Sequence, residues 1–390
     1  MPTTAIYARR ILTPQEQVSD GVIIVEGGRI AAIGHRDEVR VPPGAVDYVA
    51  PGPVVPGFVD VHIHGAGGHD VMEADTRVLD CITSTVARYG TTSIVATTVT
   101  APIEATCKSL QRIAAYIRDH ETTQENTRPT AEILGIHLEG PFISKTRRGV
   151  HPPECIAKPS VEVLEKLLKA ADGLVRLITM APELPGAVEL IQAAVAAGVV
   201  VSLGHTDADY EQSMAGIRAG ARHATHTYNA MRPFSHRDPG VIGAVLTEPD
   251  VTAEIIADLV HVAGPAIQVL IGVKGFDTVI LMSDGMAATG MPDGKYRLGN
   301  FEVAVQDGVA RNPEGKLAGS TLTLDRALRN IVELGVPLLE AVRMATVLPA
   351  RRLGLAGKKG ILSVGADADL VVLTPDFHVA AVMTRGAGLA

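Results

Sequence analysis

Eight strand-length apolar runs, most of them followed by a segment that reads as helix, occupy the middle of this chain. They are Phe58–Ile63, Thr92–Thr98, Ile133–Leu138, Val175–Met180, Val199–Leu203, Ala224–Thr227, Thr252–Ala257 and Thr278–Met282. Runs that are apolar at nearly every position belong to strands buried on both faces, the condition of a parallel sheet covered by helices. Helical periodicity marks Arg77–Tyr89, Val161–Ala171, Ala187–Ala197, Asp209–Ala219 and Ala263–Val273. Eight such units predict an α/β fold of the (β/α)8, TIM-like barrel type. The run at 224–227 is the weakest of the eight.

The two ends follow a different pattern. Val22–Val25 and Arg29–Ile33 flank Glu26-Gly27-Gly28, a hairpin signal. Gly360–Leu362, Asp369–Leu373 and Val379–Val382 are short strand candidates set among turns. Neither end can bury a core alone. Residues 1–55 and 355–390 are therefore expected to pair into one small β-sandwich domain beside a barrel of residues 56–354.

Composition narrows the function classes. The chain has 390 residues, 46% hydrophobic and 20% charged, which excludes a disordered chain. Its net charge is −8 and no Lys/Arg run stands out, so neither nucleic acid nor an anionic membrane is an expected partner. Cys81, Cys107 and Cys155 are isolated and odd in number, which suggests a reducing compartment rather than a disulfide framework. Met1–Pro14 lacks an apolar run of signal-peptide length. Ala187–Leu203, interrupted by Glu189 and Gln192, is too short to span a bilayer. The expectation is a cytoplasmic, soluble protein.

In such a barrel the chemistry lies at the C-terminal ends of the strands. Reading that edge gives His62 and His64, then His137 and Glu139, then His205, His226 and Asp284. Residues two apart on a strand share a face, so His62 and His64 point together into the barrel mouth. His137 lies one layer deeper than Glu139 and suits packing or support. Imidazole and carboxylate are the donors that hold Zn2+ or a similar divalent ion, and Glu139, His205 and His226 supply a catalytic trio. A held ion makes water a usable nucleophile near neutral pH. Asp284 can take the water proton and pass it on; its bland alternative is a helix N-cap.

These residues carry a family resemblance. Pro56-Gly57-Phe58-Val59-Asp60-Val61-His62-Ile63-His64-Gly65 resembles the first-strand signature of the amidohydrolase superfamily, and Gly365-Ala366-Asp367-Ala368-Asp369-Leu370 resembles its C-terminal return. His137-Leu138-Glu139-Gly140-Pro141-Phe142, Gly149-Val150-His151, His226-Thr227-Tyr228-Asn229-Ala230-Met231, Arg237-Asp238-Pro239-Gly240 and Leu317-Ala318-Gly319-Ser320 narrow it to the N-acetylglucosamine-6-phosphate deacetylase family. The resemblance implies hydrolysis of an N-acetyl amino-sugar phosphate to the amine and acetate. It implies a divalent metal, Zn2+ before Fe2+, with Glu139, His205 and His226 holding the principal ion. His62 and His64 take the place of a second, with Glu139 bridging, since strand four ends without a lysine.

The same resemblance gives Asp284 the acid/base role. His261 would contact substrate and polarise the acetyl carbonyl, although Asp258-Leu259-Val260-His261 has leucine where the family has glycine. Asn229, Ala230 and Arg237 correspond to phosphate contacts, beside Val150 and His151, with Leu317, Ala318 and Gly319 closing the pocket. The family's arginine can belong to the neighbouring subunit of a homodimer; the bland alternative for Arg237 is a surface ion pair with Asp238. No nucleotide-type phosphate loop is present. Two rivals stay open: another amidohydrolase acting on a cyclic amide, and a non-catalytic amidohydrolase-like assembly protein. The Asn229-Ala230-Met231 and Arg237 signature speaks against the first, and the intact Glu139, His205, His226 and Asp284 against the second.

Overall fold

The structure, a computed structural model, describes residues 3–121 and 128–389. Residues 1, 2 and 390 of the expected terminal unit lie outside it. The eight expected strands are present as β1 (Phe58–Ile63), β2 (Thr91–Thr98), β3 (Glu132–Glu139), β4 (Val175–Met180), β5 (Val200–Leu203), β6 (His223–Ala224), β7 (Thr252–Ile256) and β8 (Val279–Met282). They form one 8-stranded sheet in chain order with parallel neighbours throughout. Closure between β8 and β1 comes just past the strand ends. There Asp284 N donates to His62 O at 3.0 Å and His64 N to Gly285 O at 2.7 Å. Deeper in that seam a side chain completes the bonding. The buried Asp60 carboxylate accepts the N–H groups of Ser283 and His62 at 3.2 and 3.3 Å, and burial pushes its pKa up to about 6.

All five expected helices form, as Thr76–Ala87, Val161–Ala170, Ala187–Ala196, Tyr210–Arg218 and Gly264–Lys274. Asp75, Ser160 and Asp209 cap the first, second and fourth, each accepting a first-turn backbone N–H. Leu79, Ile82, Leu190 and Leu270 belong to the large apolar core that the helices share with the strands. Ile103–Glu121, Gly240–Thr247, Leu324–Glu333, Leu338–Ala345 and Val347–Arg352 are further helices.

Two expectations need correction, and one element is additional. Strand six is not Ala224–Thr227: it starts at His223 and ends at Ala224, because His226 turns at φ 29°. The turn is held by Glu254, whose Oε2 accepts His226 N–H at 3.2 Å and whose carbonyl accepts Thr227 N–H at 2.9 Å. Gly360–Leu362 is not a strand, although Ile361 and Leu362 are buried. Gly360 has φ +66° and packs where a Cβ would stand 2.4 Å from Thr346 O, so it serves a tight turn against a helix. Finally, a 3-stranded antiparallel sheet, Gly294–Leu298, Phe301–Gln306 and Val309–Arg311, follows β8 and was not expected. It packs Leu298, Val303 and Val305 against Val99, Met286 and Ala318.

The two ends of the chain do meet in one 7-stranded mixed sheet. It takes Thr4–Leu12, Gln17–Glu26, Arg29–His35, Val46–Val49 and Val54–Pro56 from the first part, and Leu370–Leu373 and Val379–Met383 from the last. Leu370–Leu373 runs antiparallel to Val54–Pro56, so the entry to the barrel is locked to the C-terminal return. Apolar clusters form on both faces, one around Ile6, Ile23 and Leu370 and one around Ala5, Val22 and Ile24. The cysteines are unpaired. Among the described residues no helix is long and apolar enough to cross a membrane.

Candidate active site

His62 and His64 project from the end of β1 with their Nε2 atoms 3.2 Å apart, the shared face that strand alternation predicts. Glu139 is the last residue of β3 and is 3% exposed. His205, His226 and Asp284 each stand two residues past the end of β5, β6 and β8, with φ of 46°, 29° and 50°. The strands stop short of all three, and a left-handed turn does the aiming. No helix begins at Asp284, so the N-cap alternative fails.

All these groups converge. Glu139 Oε1 lies 3.1 Å from both His205 Nε2 and His226 Nε2 and 3.4 Å from His62 Nε2, while Oε2 lies 3.3 Å from His64 Nε2. His205 Nε2 and His226 Nε2 are 3.1 Å apart, and Asp284 Oδ1 is 3.3 Å from His64 Nε2. Two ligands on one tetrahedral ion with bonds of 2.0–2.1 Å stand about 3.3 Å from each other.

The protons decide what these contacts mean. The other ring nitrogen, Nδ1, faces the carbonyl of Arg147 at 2.8 Å in His205, of Asn229 at 3.1 Å in His226 and of Thr97 at 3.2 Å in His64. In His62 it faces Glu254 at 3.2 Å. Carbonyl and carboxylate oxygens accept, so each of these Nδ1 atoms carries a proton and each Nε2 is the ring atom left to meet a cation. Lone pairs facing one another suit a cation between them. His151 is the reverse case. Its Nδ1 accepts Thr100 N–H at 3.2 Å, so its Nε2–H donates to Glu139 Oε2 at 3.2 Å. Burial holds its pKa down to about 4, consistent with a neutral ring. His151 therefore stands beside Glu139 and His205 as a hydrogen-bond donor.

Burial by itself raises the carboxyls of Glu139 and Asp284. For Glu139 the rings of His62 and His205 outweigh it, and for Asp284 the contact with His64 does, so both are carboxylates. His137, as expected, packs deeper: it is fully buried, edge-on to His62, with Nε2 at 2.8 Å from Thr179 Oγ1. His223 is fully buried against Glu254.

A cavity of about 400 Å3 opens above this cluster. Val150, His151, Asn229, Ala230, His261, Leu317, Ala318 and Gly319 all line it, as the motifs implied. Arg237 does not. It is exposed, its Nε at 3.0 Å from His236 Nε2, and the ion pair with Asp238 is made by Arg232 instead. The cations that do line the cavity are Lys145, Arg147, Arg148 and Lys316, which the sequence reading missed. Their signal was the basic run Lys145-Thr146-Arg147-Arg148, five residues beyond Gly140. Arg147 is anchored on Asp207 at 2.7 Å and Arg148 on His151 O at 2.9 Å.

Residues 54–387 match the Amidohydrolase family. An N-acetylglucosamine-6-phosphate deacetylase of Vibrio furnissii is 40% identical over 385 residues, 97% of this chain and 93% of that protein. An N-acetylgalactosamine-6-phosphate deacetylase of Escherichia coli O157:H7 is 38% identical over 385 residues, 98% of each. The crystal structure of N-acetyl-D-glucosamine-6-phosphate deacetylase from Mycobacterium smegmatis superposes with a TM-score of 0.90 at 38% identity, covering 99% of this chain and 100% of that one. The chain belongs to the amidohydrolase family. Its donor set fits the divalent ion of a metal-dependent amidohydrolase.

On the same cavity this amidohydrolase places His261. Asp258 clamps it: Oδ2 accepts His261 Nδ1–H at 2.7 Å, and Oδ1 accepts the N–H groups of Val260 and His261, both at 2.8 Å. The His261 contacts lower the Asp258 pKa in spite of burial. Leu259, at the position where the family pattern has glycine, sits at φ 65°. The backbone there keeps the glycine conformation with a leucine in it.

Proposed function

We propose that this chain hydrolyses the acetamide of N-acetylglucosamine 6-phosphate to glucosamine 6-phosphate and acetate. The observation that carries this reading is the cavity itself, with Glu139, His205, His226 and Asp284 at its floor and four cations on its wall. Glu139, His205 and His226 would hold the principal ion, zinc by the nature of the donors, and His62 and His64 a second one shared through Glu139. When bound, a divalent ion supplies acidity to water and polarises the acyl oxygen.

The side chains do the rest. Asp284 accepts a proton from the attacking water and delivers it to nitrogen as the C–N bond breaks, because an amine leaves poorly unless protonated. His261, held by Asp258, is placed to polarise the acyl oxygen and steady the oxyanion of the tetrahedral intermediate. Arg147 and Arg148 meet the phosphate with charge-assisted hydrogen bonds, and Asn229 and Ala230 flank it. The exposed Arg237 favours a homodimer in which it serves the neighbouring cavity. Residues 1–55 with 355–390 form the supporting sheet unit and 56–354 the catalytic barrel, in a cytoplasmic enzyme.

Acetate release by zinc-replete protein tests this reading. The 6-phosphate of N-acetylglucosamine should react, and the unphosphorylated sugar should react far less. The 6-phosphate of N-acetylgalactosamine, its C4 epimer, belongs in the same assay. Absence of acetate from every 6-phosphorylated N-acetylhexosamine overturns it.

A further inference from the structure

Behind His62 lies a buried ionic group for which the hydrolysis has no use. Glu254, in β7, is 0% exposed. Its Oε2 accepts His62 Nδ1–H at 3.2 Å and His226 N–H at 3.2 Å, and its Oε1 accepts His223 Nε2–H at 2.8 Å. His223 in turn meets Thr252 Oγ1 through Nδ1 at 2.5 Å. His62 and His223 are fully buried too. A carboxylate so far from water is costly to hold unless it is paired and hydrogen-bonded.

The three other donor imidazoles have their Nδ1–H fixed by neutral backbone carbonyls. His62 alone is fixed by a full negative charge. That charge also bears on the electrostatics of the site. Glu139, Asp284 and Glu254 place three carboxylates in one buried cluster. One divalent cation balances two of them, and a second cation is favoured by the third.

We propose that Glu254, backed by His223, is the positioning residue that makes His62, His64 and Asp284 a seat for a second ion. It does so by fixing the His62 tautomer with the Nε2 lone pair toward Glu139, and by adding negative charge behind the ring. Through His226 N–H it also ties that seat to the principal one. This rests on the two-ion reading above.

The test is the zinc affinity of each site, measured by chelator competition on the full chain, in the parent protein, Glu254→Gln, Glu254→Asp and His62→Ala. In E254Q the first ion should bind within about twofold of the parent. The second should weaken by about 10- to 100-fold, the usual effect of losing a partner behind a metal-bound histidine. H62A should lose the second ion altogether. E254D keeps the charge but draws it one methylene away from both His62 and His226 N–H, so it should weaken the second ion by more than the first; it serves if E254Q does not fold. Melting of the metal-free proteins is followed alongside, since a purely structural role would lower the melting temperature and weaken both ions alike, which overturns the proposal. Parent-like second-ion affinity in E254Q and E254D, with loss in H62A, overturns it while leaving the two-ion reading intact. A parent protein that binds one ion at saturation overturns both.

Discussion

Asp284 is the residue on which the proposed chemistry turns. It is a carboxylate 3.3 Å from His64 Nε2, in a left-handed turn that no helix follows. Asp284→Asn keeps shape and turn but cannot take a proton, so kcat should fall by about 10²–10⁴-fold, while KM for the sugar phosphate stays near that of the parent. Steady-state kinetics decide this; near-normal kcat would remove Asp284 as proton carrier. Leu259 gives a second prediction of opposite sign. A left-handed leucine costs roughly 1–2 kcal/mol, and glycine gives back about 0.4–1 kcal/mol through its freedom in the unfolded chain. Leu259 is 41% exposed, so little packing is lost. Leu259→Gly should therefore stabilise by about 0.5–1 kcal/mol, and Leu259→Val should destabilise; thermal melts of both check the sign.

Among the elements, the hairpin at Gly27-Gly28 shows how a turn can serve two partners. Both residues have positive φ, 56° and 79°, as a two-residue turn joining Gln17–Glu26 to Arg29–His35 demands. Gly28 is also the point where Arg385 O approaches, 2.7 Å from where a Cβ would sit. Gly28→Ala thus meets both a conformational cost and a backbone clash, and should destabilise by about 1–3 kcal/mol, read as a lower urea midpoint. Gly27→Ala, with open space around it, should cost only the conformational part. Equal effects at the two positions would remove the clash from the account. The composition of the turn was legible as Glu-Gly-Gly, but which glycine touches the C-terminal return was not. That contact joins positions far apart in the chain.

Across the whole molecule, Lys359 joins the terminal sheet to the barrel. Its Nζ is buried and lies 2.6 Å from Glu132 at the start of β3, 2.8 Å from Asp369 and 2.9 Å from Asp367. Burial alone would lower the lysine pKa, but Asp369, Glu132 and Asp367 outweigh it and hold it above the ordinary value. A lysine whose folded pKa is raised stabilises the fold in full below its unfolded pKa of about 10.4, and that contribution is lost only as pH climbs through the higher folded value. Lys359→Met leaves the buried Asp369 without its cation, while Glu132 keeps Arg385 at 3.5 Å and Asp367 keeps Arg29 at 3.6 Å, and should destabilise by about 3 kcal/mol. The difference from the parent should stay flat from about pH 7 to 10 and shrink only beyond the unfolded lysine pKa; denaturation at several pH values tests both parts.

The apolar runs settled the barrel before any contact was known, because burial on both faces of a strand shows within six residues of sequence. The same local logic put His62 and His64 on one face and Glu139 at the mouth. It could not reach the turns that aim His205, His226 and Asp284, since strand β6 is cut short by Glu254 from the neighbouring strand. Nor could it assign the protons. His205 takes its tautomer from Arg147 O, 58 positions away, and His62 from Glu254, 192 positions away. Arg237 carried the family's motif yet lies outside its own cavity, while Arg147 and Arg148 line it. Hydrophobic period is a property of neighbours in the chain and is written in the sequence. Hydrogen-bond partners, tautomers and the sharing of one carboxylate among several imidazoles are properties of neighbours in space, and only the closed barrel decides them.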